Sequence, residues 1–189
     1  MRRIRQKGNT KRAGKPNFWG EYAKNVPKEL MEMVYSQYYS HDTLTVYCDG
    51  SSKGSLMAAA CSYVQNTSII VRQQLVYPPK VCIGKNMYSE LQAIIFGLTH
   101  YEKYRQDGCR QVIFYSDVNG IDNLLAYEST FRKSQELRAL QMEMMQTYYT
   151  KKEQSHIPIT VKYLPVDQKK YNPLARSSHN GANKLLSRK

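Results

Sequence analysis

The sequence predicts an α/β fold in which helices flank a five-stranded mixed sheet, with three antiparallel strands followed by two parallel ones. Three observations lead to this prediction. Three strand-like segments follow one another at 44–49, 56–65 and 68–77, separated by turn residues. A later apolar run, 111–116, is typical of a strand buried on both faces. Helical periodicity lies on both sides of that run, which favours parallel pairing through helical crossovers.

The first predicted element is a helical segment at 18–40, where Pro27 marks a helix start and apolar residues recur at helical spacing. In the first strand, Leu44, Val46 and Cys48 alternate with residues of the other face. The remaining predicted elements, in chain order, are an amphipathic helix at 87–105, the strand at 111–116, helices at 119–127 and 134–151, a strand at 159–166 and a closing helix at 179–188.

Charge divides the chain into a basic arm with a helical extension, residues 1–40, and a folded domain, residues 41–189. Lys and Arg number 28 against 15 Asp and Glu, which gives a net charge of +13. Seven of these positive charges lie within residues 1–16, before the first acid, Glu21. An arm of this composition cannot bury a core. The excess charge indicates a polyanionic partner, with nucleic acid first and an anionic membrane surface second.

Composition also argues against several classes of protein. No stretch approaches the roughly 18 apolar residues of a membrane span, and no apolar segment follows the basic N-terminus as in a secretory signal. We therefore expect an intracellular, cytoplasmic protein, with the nucleus or an organelle as the alternative if the host is eukaryotic. A monomer is the default. The four cysteines lack CxxC spacing, so reduced thiols are expected rather than a structural zinc site.

Three carboxylates occupy places that suggest chemistry. Asp49 ends the first strand, Glu90 lies in the first turn of the first long helix, and Asp117 ends the buried fourth strand. A single Asp at a strand end is most often a turn cap. A single Glu near a helix start most often interacts favourably with the positive end of the helix dipole. Together, however, the three would meet at one end of the sheet. Their mutual repulsion is unfavourable there unless cations neutralise them or some protons are retained. Oxygen ligands of this kind suit Mg²⁺ or Mn²⁺.

The segments around these acids resemble the type 1 ribonuclease H family over about Leu44 to Leu186. VYCDGSSKG (46–54) resembles the family's first-strand motif, and GKNMYSELQAIIFGL (84–98) its Asn-x-x-x-Glu-Leu-x-Ala helix start. VIFYSDVNGI (112–121) resembles the strand that ends in Ser/Thr-Asp, and HNGANKLL (179–186) the closing helix. The order of the acids differs from that of DEDD exonucleases and of retroviral integrases.

The resemblance implies a ribonuclease H-like fold and metal-dependent endonucleolytic cleavage of RNA paired with DNA. It implies two divalent ions, Mg²⁺ or Mn²⁺, bridged by Asp49. The ligand set that it implies is Asp49, Glu90, Asp117 and Asn183, of which the three acids are also the catalytic residues. It further implies contacts of Asn86 and Asn119 with the hybrid substrate. From the residues alone, Asn86 is equally a candidate helix cap.

Two positions depart from the family pattern. Asn183 stands where the fourth ligand is usually Asp, and the segment 166–178 lacks the usual loop His. His179 falls where the closing motif has Asn, which favours a helix-start residue over a replacement for that His. Asp167 is an alternative loop acid.

These departures keep other functions open. A non-catalytic or weakly active nucleic-acid-binding protein on the same fold, including a ribonucleoprotein subunit, would use the positive charge equally well. Retention of the three acids argues against it, because binding alone has no use for negative charges that face phosphates. A junction resolvase fits the order of the elements less well.

Overall fold

The computed structural model describes residues 15–188, so the predicted basic arm lies outside the described residues except for its last two. The sheet has the order β3-β2-β1-β4-β5. Its strands are β1 (Thr43–Lys53), β2 (Leu56–Gln65), β3 (Ser68–Val76), β4 (Gln111–Ser116) and β5 (Ile159–Tyr163). Strands β1, β2 and β3 pair antiparallel, whereas β4 pairs parallel with both β1 and β5. The predicted five-stranded mixed sheet is confirmed.

Six α-helices accompany the sheet in the described part of the chain. They are α1 (Lys28–Tyr39), α2 (Asn86–His100), α3 (Ile121–Leu125), α4 (Gln135–Gln154), α5 (Val166–Tyr171) and α6 (Pro173–Ser187). None of the helices within residues 15–188 has both the length and the apolar composition needed to cross a membrane.

The two faces of the sheet carry separate cores. Leu44, Val46 and Cys48 of β1 point to one face and pack with the buried side of α2, together with α3 and α4. Tyr47 and alternate side chains of β2 belong to the other face, which α1 and α6 cover, so β2 is buried on both sides. This three-layer arrangement follows from the two-residue period of the strands, since alternate side chains serve opposite faces.

A buried hydrogen-bond network joins the N-terminal extension to the sheet and to α6. The hydroxyl of Tyr47 donates to Gln37 Oε1 of α1 at 2.5 Å and accepts from Asn172 Nδ2 at 2.9 Å. Asn172 is fully buried, and its Oδ1 accepts from the backbone N–H groups of Leu174 and Ala175. One side chain therefore caps α6 and ties it to the first strand.

The C-terminal region corrects the sequence interpretation. The segment 166–178 contains α5 and the start of α6, where a loop was predicted, and the final strand ends at Tyr163 instead of 166. Pro165 precedes α5 and Pro173 opens α6, so both prolines start helices. Proline is tolerated at a helix start because its missing N–H would have no partner there.

Candidate active site

The parallel pairing of β1 and β4 brings two of the predicted acids together. Tyr47 and Tyr115 are directly paired in the register, and their rings stack with centroids 5.3 Å apart. Asp49 and Asp117 follow two residues later, so they continue the same face beyond the stacked rings. Asp117 directly follows the end of β4, but β1 continues to Lys53, so the prediction that the first strand ends at Asp49 was wrong. Because β1 and β4 are parallel, both carboxylates still lie just beyond the last residues that the two strands pair.

Glu90 joins them because β1 and α2 approach each other at Gly50. A Cβ on Gly50 would lie 2.4 Å from the carbonyl carbon of Ser89 and 2.5 Å from the backbone nitrogen of Glu90. Only glycine permits this contact. The backbone N–H of Gly50 donates to Glu90 Oε2 at 2.8 Å, which holds the carboxylate against β1.

The three carboxylates form one cluster, with one oxygen from each lying within 4.8 Å of the others. Asp49 is 1% exposed. Burial first, and then the charges of Asp117 and Asp49, raise the pKa of Glu90 well above its usual range, although the Gly50 N–H and Lys169 oppose this shift. Such a site favours either a bound proton or a cation, and hard divalent cations prefer oxygen ligands. The residues present therefore fit Mg²⁺ or Mn²⁺.

Lys169 of α5 supplies a cation that the sequence did not reveal. Its Nζ lies 2.5 Å from Asp49 Oδ1, as an ion pair without hydrogen-bond geometry, and it donates to Asp117 Oδ2 at 2.6 Å. Burial lowers the pKa of Lys169, but the charge of Asp49 and the charge and hydrogen bond of Asp117 outweigh this effect and raise it overall. The ammonium group thus lies between two of the predicted metal ligands.

A second chain of contacts leads from Asp49 to α6. His179 Nδ1 lies 3.1 Å from Asp49 Oδ2, and Asn183 Nδ2 lies 2.8 Å from His179 Nε2. An amide donor at Nε2 places the imidazole proton on Nδ1, from which it is donated to Asp49. Asn183 Oδ1 also accepts from the hydroxyl of Ser51 at 2.6 Å. His179 lies inside α6, so its predicted place at the helix start was wrong: Asn172 caps the helix seven residues earlier.

The other predicted residues lie around this cluster. Asn86 is the first residue of α2 but makes no cap hydrogen bond; its Oδ1 accepts from the hydroxyl of Ser52. Asn119 is exposed in the turn between β4 and α3. Among the described residues, Asp167 does not join the acidic cluster. It faces the groove between α1 and α5 instead.

Solved structures share this sheet topology. The RNase H1 of the halophilic archaeon Halobacterium salinarum matches with a TM-score of 0.57 at 16% sequence identity, over 78% of this chain and 99% of that one. The chain has the ribonuclease H fold. The N-terminal RNase H domain of a Mycobacterium tuberculosis protein matches with a TM-score of 0.52 at 14% identity, over 77% of this chain and 99% of that one.

LC11-RNase H1 in complex with an RNA/DNA hybrid gives a TM-score of 0.54 at 13% identity, over 76% of this chain and 99% of that one. No protein-family model matches the sequence, and no curated protein matches it. The predicted resemblance to ribonuclease H is thus confirmed at the level of the fold.

Proposed function

We propose that this protein is a metal-dependent endonuclease that hydrolyses the RNA strand of RNA–DNA hybrids. The observation that carries the proposal is the convergence of Asp49, Glu90 and Asp117 at one edge of a ribonuclease H-fold sheet. The net charge of +13 suits a nucleic-acid substrate, and a solved structure of the same fold is a complex with an RNA/DNA hybrid.

Asp49, Glu90 and Asp117 would hold Mg²⁺ or Mn²⁺, and the amide oxygen of Asn183 would complete the site for a second ion. When bound, such ions activate a water molecule and stabilise the leaving 3′-oxygen. Asn183 brings no negative charge, so we expect the second ion to bind weakly and cleavage to require high metal concentrations or Mn²⁺.

The chain's own residues orient the site and contact the substrate. His179 donates to Asp49 and thereby fixes the direction of that buried carboxylate, and Asn183 fixes the tautomer of His179. Asn86 is exposed one helical turn before Glu90, and Asn119 is exposed two residues after Asp117. At these places both amides are suited to contact the strand being cut, including its 2′-hydroxyl groups, which distinguish RNA from DNA.

Cleavage of a labelled RNA–DNA hybrid tests the proposal, with single-stranded RNA, duplex RNA and duplex DNA as competing substrates. We expect metal-dependent cleavage of the hybrid's RNA strand, and its loss in Asp49→Asn. Asp107→Asn is the matched control, because Asp107 is exposed and remote from the cluster. Full activity of purified Asp49→Asn in Mg²⁺ would remove Asp49 from the catalytic site.

A second candidate function follows from Lys169. Its ion pairs with Asp49 and Asp117 neutralise those acids without a metal, as in a protein that binds nucleic acid and does not cut it. The two functions differ in metal binding. If the protein is a nuclease, calorimetry should detect Mn²⁺ binding, and Asp49→Asn should abolish it. If the protein only binds nucleic acid, calorimetry should detect no Mn²⁺ binding, and the affinity for the hybrid should be the same with and without divalent ions.

A further inference from the structure

A pocket beside the acidic cluster combines aromatic rings with positive charge. Its volume is about 690 Å³, and its walls come from the N-terminal extension, α5 and the first half of α6. The side chains that matter for the argument are Phe18, Trp19, Tyr22, Lys170, Arg176 and Asn180. Tyr22 is 74% exposed, so its ring face is open to a ligand. The indole N–H of Trp19 donates to the carbonyl of Tyr171 at 2.7 Å, which fixes the ring against α5.

The charge of the pocket selects an anionic ligand. Lys170 and Arg176 are exposed, and no carboxylate of residues 15–188 forms an ion pair with either. No acid is among the residues that line it. Lys170 also lines the neighbouring groove between α1 and α5, but Glu29 and Asp167 lie there as well, so the net charge of that groove does not favour a phosphate.

The pocket and the acidic cluster share two helices. Lys170 directly follows Lys169, which contacts Asp49 and Asp117. Arg176 precedes His179 by one helical turn, so the two side chains are neighbours on the surface of α6. The pocket and the acidic cluster are therefore adjacent along α5 and α6.

We propose that this pocket binds an unpaired nucleotide segment that adjoins the hybrid, so that the preferred substrate is a hybrid with a single-stranded extension. The inference rests on the proposed function. Aromatic side chains stack on bases that are unpaired, because paired bases already stack on one another, and cations beside the rings hold the phosphates. The pocket combines aromatic side chains and cations in one site.

Trp19 gives a direct measurement, because it is the only tryptophan of the chain. The full-length protein is titrated, without divalent metal, with oligouridylate and oligothymidylate of about eight nucleotides, a length within the range that single-strand sites cover. We expect single strands to quench Trp19 fluorescence at lower concentrations than a blunt hybrid. Equal quenching by polyglutamate would overturn the proposal, since it would indicate a site for any polyanion.

Matched variants complete the test. Tyr22→Ala should weaken single-strand binding about 5- to 150-fold, the equivalent of 1–3 kcal/mol for a stacked base. Tyr77→Ala removes a tyrosine that is 80% exposed after β3 and should have no effect. Arg176→Gln should reduce the slope of log K against log salt by about one phosphate contact. Arg105→Gln should leave the slope unchanged, because Arg105 is exposed and does not line the pocket. Equal effects of the Tyr22 and Tyr77 variants would refute stacking in the pocket.

Cleavage assays separate this inference from the proposed function. If the wild type cuts hybrids that carry a single-stranded extension with a lower KM than blunt hybrids, and Arg176→Gln removes the difference, both proposals hold. Metal-free binding of single strands without any cleavage would support the pocket and refute the nuclease. If the KM is the same for extended and blunt hybrids, and single strands do not quench Trp19, the nuclease is supported and the pocket is refuted.

Discussion

The ammonium group of Lys169 lies between the carboxylates of Asp49 and Asp117, which are predicted to bind a metal ion. This ammonium group is within 2.6 Å of carboxylate oxygens of both Asp49 and Asp117, and the lysine side chain is only 24% exposed. The same oxygens are candidate ligands for a divalent ion. A metal at this site would therefore compete with Lys169 for one set of carboxylates, and its binding would require Lys169 to move.

Lys169→Gln is predicted to lower the metal concentration needed for half-maximal hybrid cleavage by roughly tenfold. That factor corresponds to about 1.4 kcal/mol, below the roughly 4 kcal/mol of a charge pair at 4 Å near a protein surface. Calorimetric titration with Mn²⁺ measures the same change without substrate. Lys170→Gln is the control for that titration, because the side chain at 170 lies in the pocket and makes no contact with the acids. A higher metal requirement in Lys169→Gln would show that the lysine assists metal binding.

Asn183→Asp is predicted to increase cleavage at low Mg²⁺ with little change in hybrid binding measured without metal. The reason is the added negative charge, since the charge of the ligands sets much of the affinity for hard divalent ions. Asn183 already contacts Ser51 and His179 at the edge of the site, so the new carboxylate would lie beside the acidic cluster. Unchanged metal dependence would remove Asn183 from the set of ligands.

At the scale of elements, the contact between β1 and α2 sets the position of Glu90. Gly50→Ala places a methyl group against backbone atoms of Ser89 and Glu90, which cannot rotate away. We predict that the free energy of unfolding falls by more than about 3 kcal/mol, which is above the usual range for an overpacked core, and that Mn²⁺ binding is lost. Chemical denaturation and calorimetry measure the two effects.

Gly54→Ala separates close contact from backbone strain. Gly54 has a φ of +61°, and a Cβ at this position would have no atom within 4 Å. Gly54→Ala should therefore lower the free energy of unfolding by only roughly 1–2 kcal/mol, because alanine is strained in a left-handed backbone conformation. The substitution should leave Mn²⁺ binding intact. Equal losses of stability and metal binding in the two variants would contradict the role given to Gly50.

Elements with a clear period could be predicted from the sequence, and contacts between distant segments could not. The alternation of Leu44, Val46 and Cys48 predicts β1, and the parallel pairing of β1 and β4 predicts that the two aspartates meet, although β1 continues four residues beyond Asp49. The start of α6 was missed because Pro173 was interpreted as part of a loop. Lys169 was missed because its contacts join segments 120 and 52 residues apart, which no local pattern records.

Across the whole molecule, positive charge is concentrated in the N-terminal part of the sequence. The three acids meet around Lys169, whereas 7 of the 28 Lys and Arg residues lie within residues 1–16. Six of the basic residues lie within residues 1–14, outside the described part of the chain: Arg2, Arg3, Arg5, Lys7, Lys11 and Arg12. Lys15 lies over the ring of Tyr35 at 3.6 Å, and the Tyr35 hydroxyl donates to the carbonyl of Pro16. These two contacts hold the start of the described chain against α1, and the hydrogen bonds of Trp19 to Tyr171 and of Tyr47 to Gln37 join the extension to the folded domain.

Deletion of residues 1–14 is predicted to weaken hybrid binding and flatten its salt dependence without changing the cleavage step. The deletion stops before Lys15 and Pro16, so their contacts with Tyr35 remain. If all six charges meet phosphates, the slope of log K against log salt falls by about five; fewer contacts give a smaller change. A full-length variant with Gln at the same six positions should show the same slope as the deletion, because charge and not length determines counterion release. Single-turnover cleavage at saturating enzyme measures the chemical step separately. An unchanged slope in both variants would show that the arm does not contact nucleic acid.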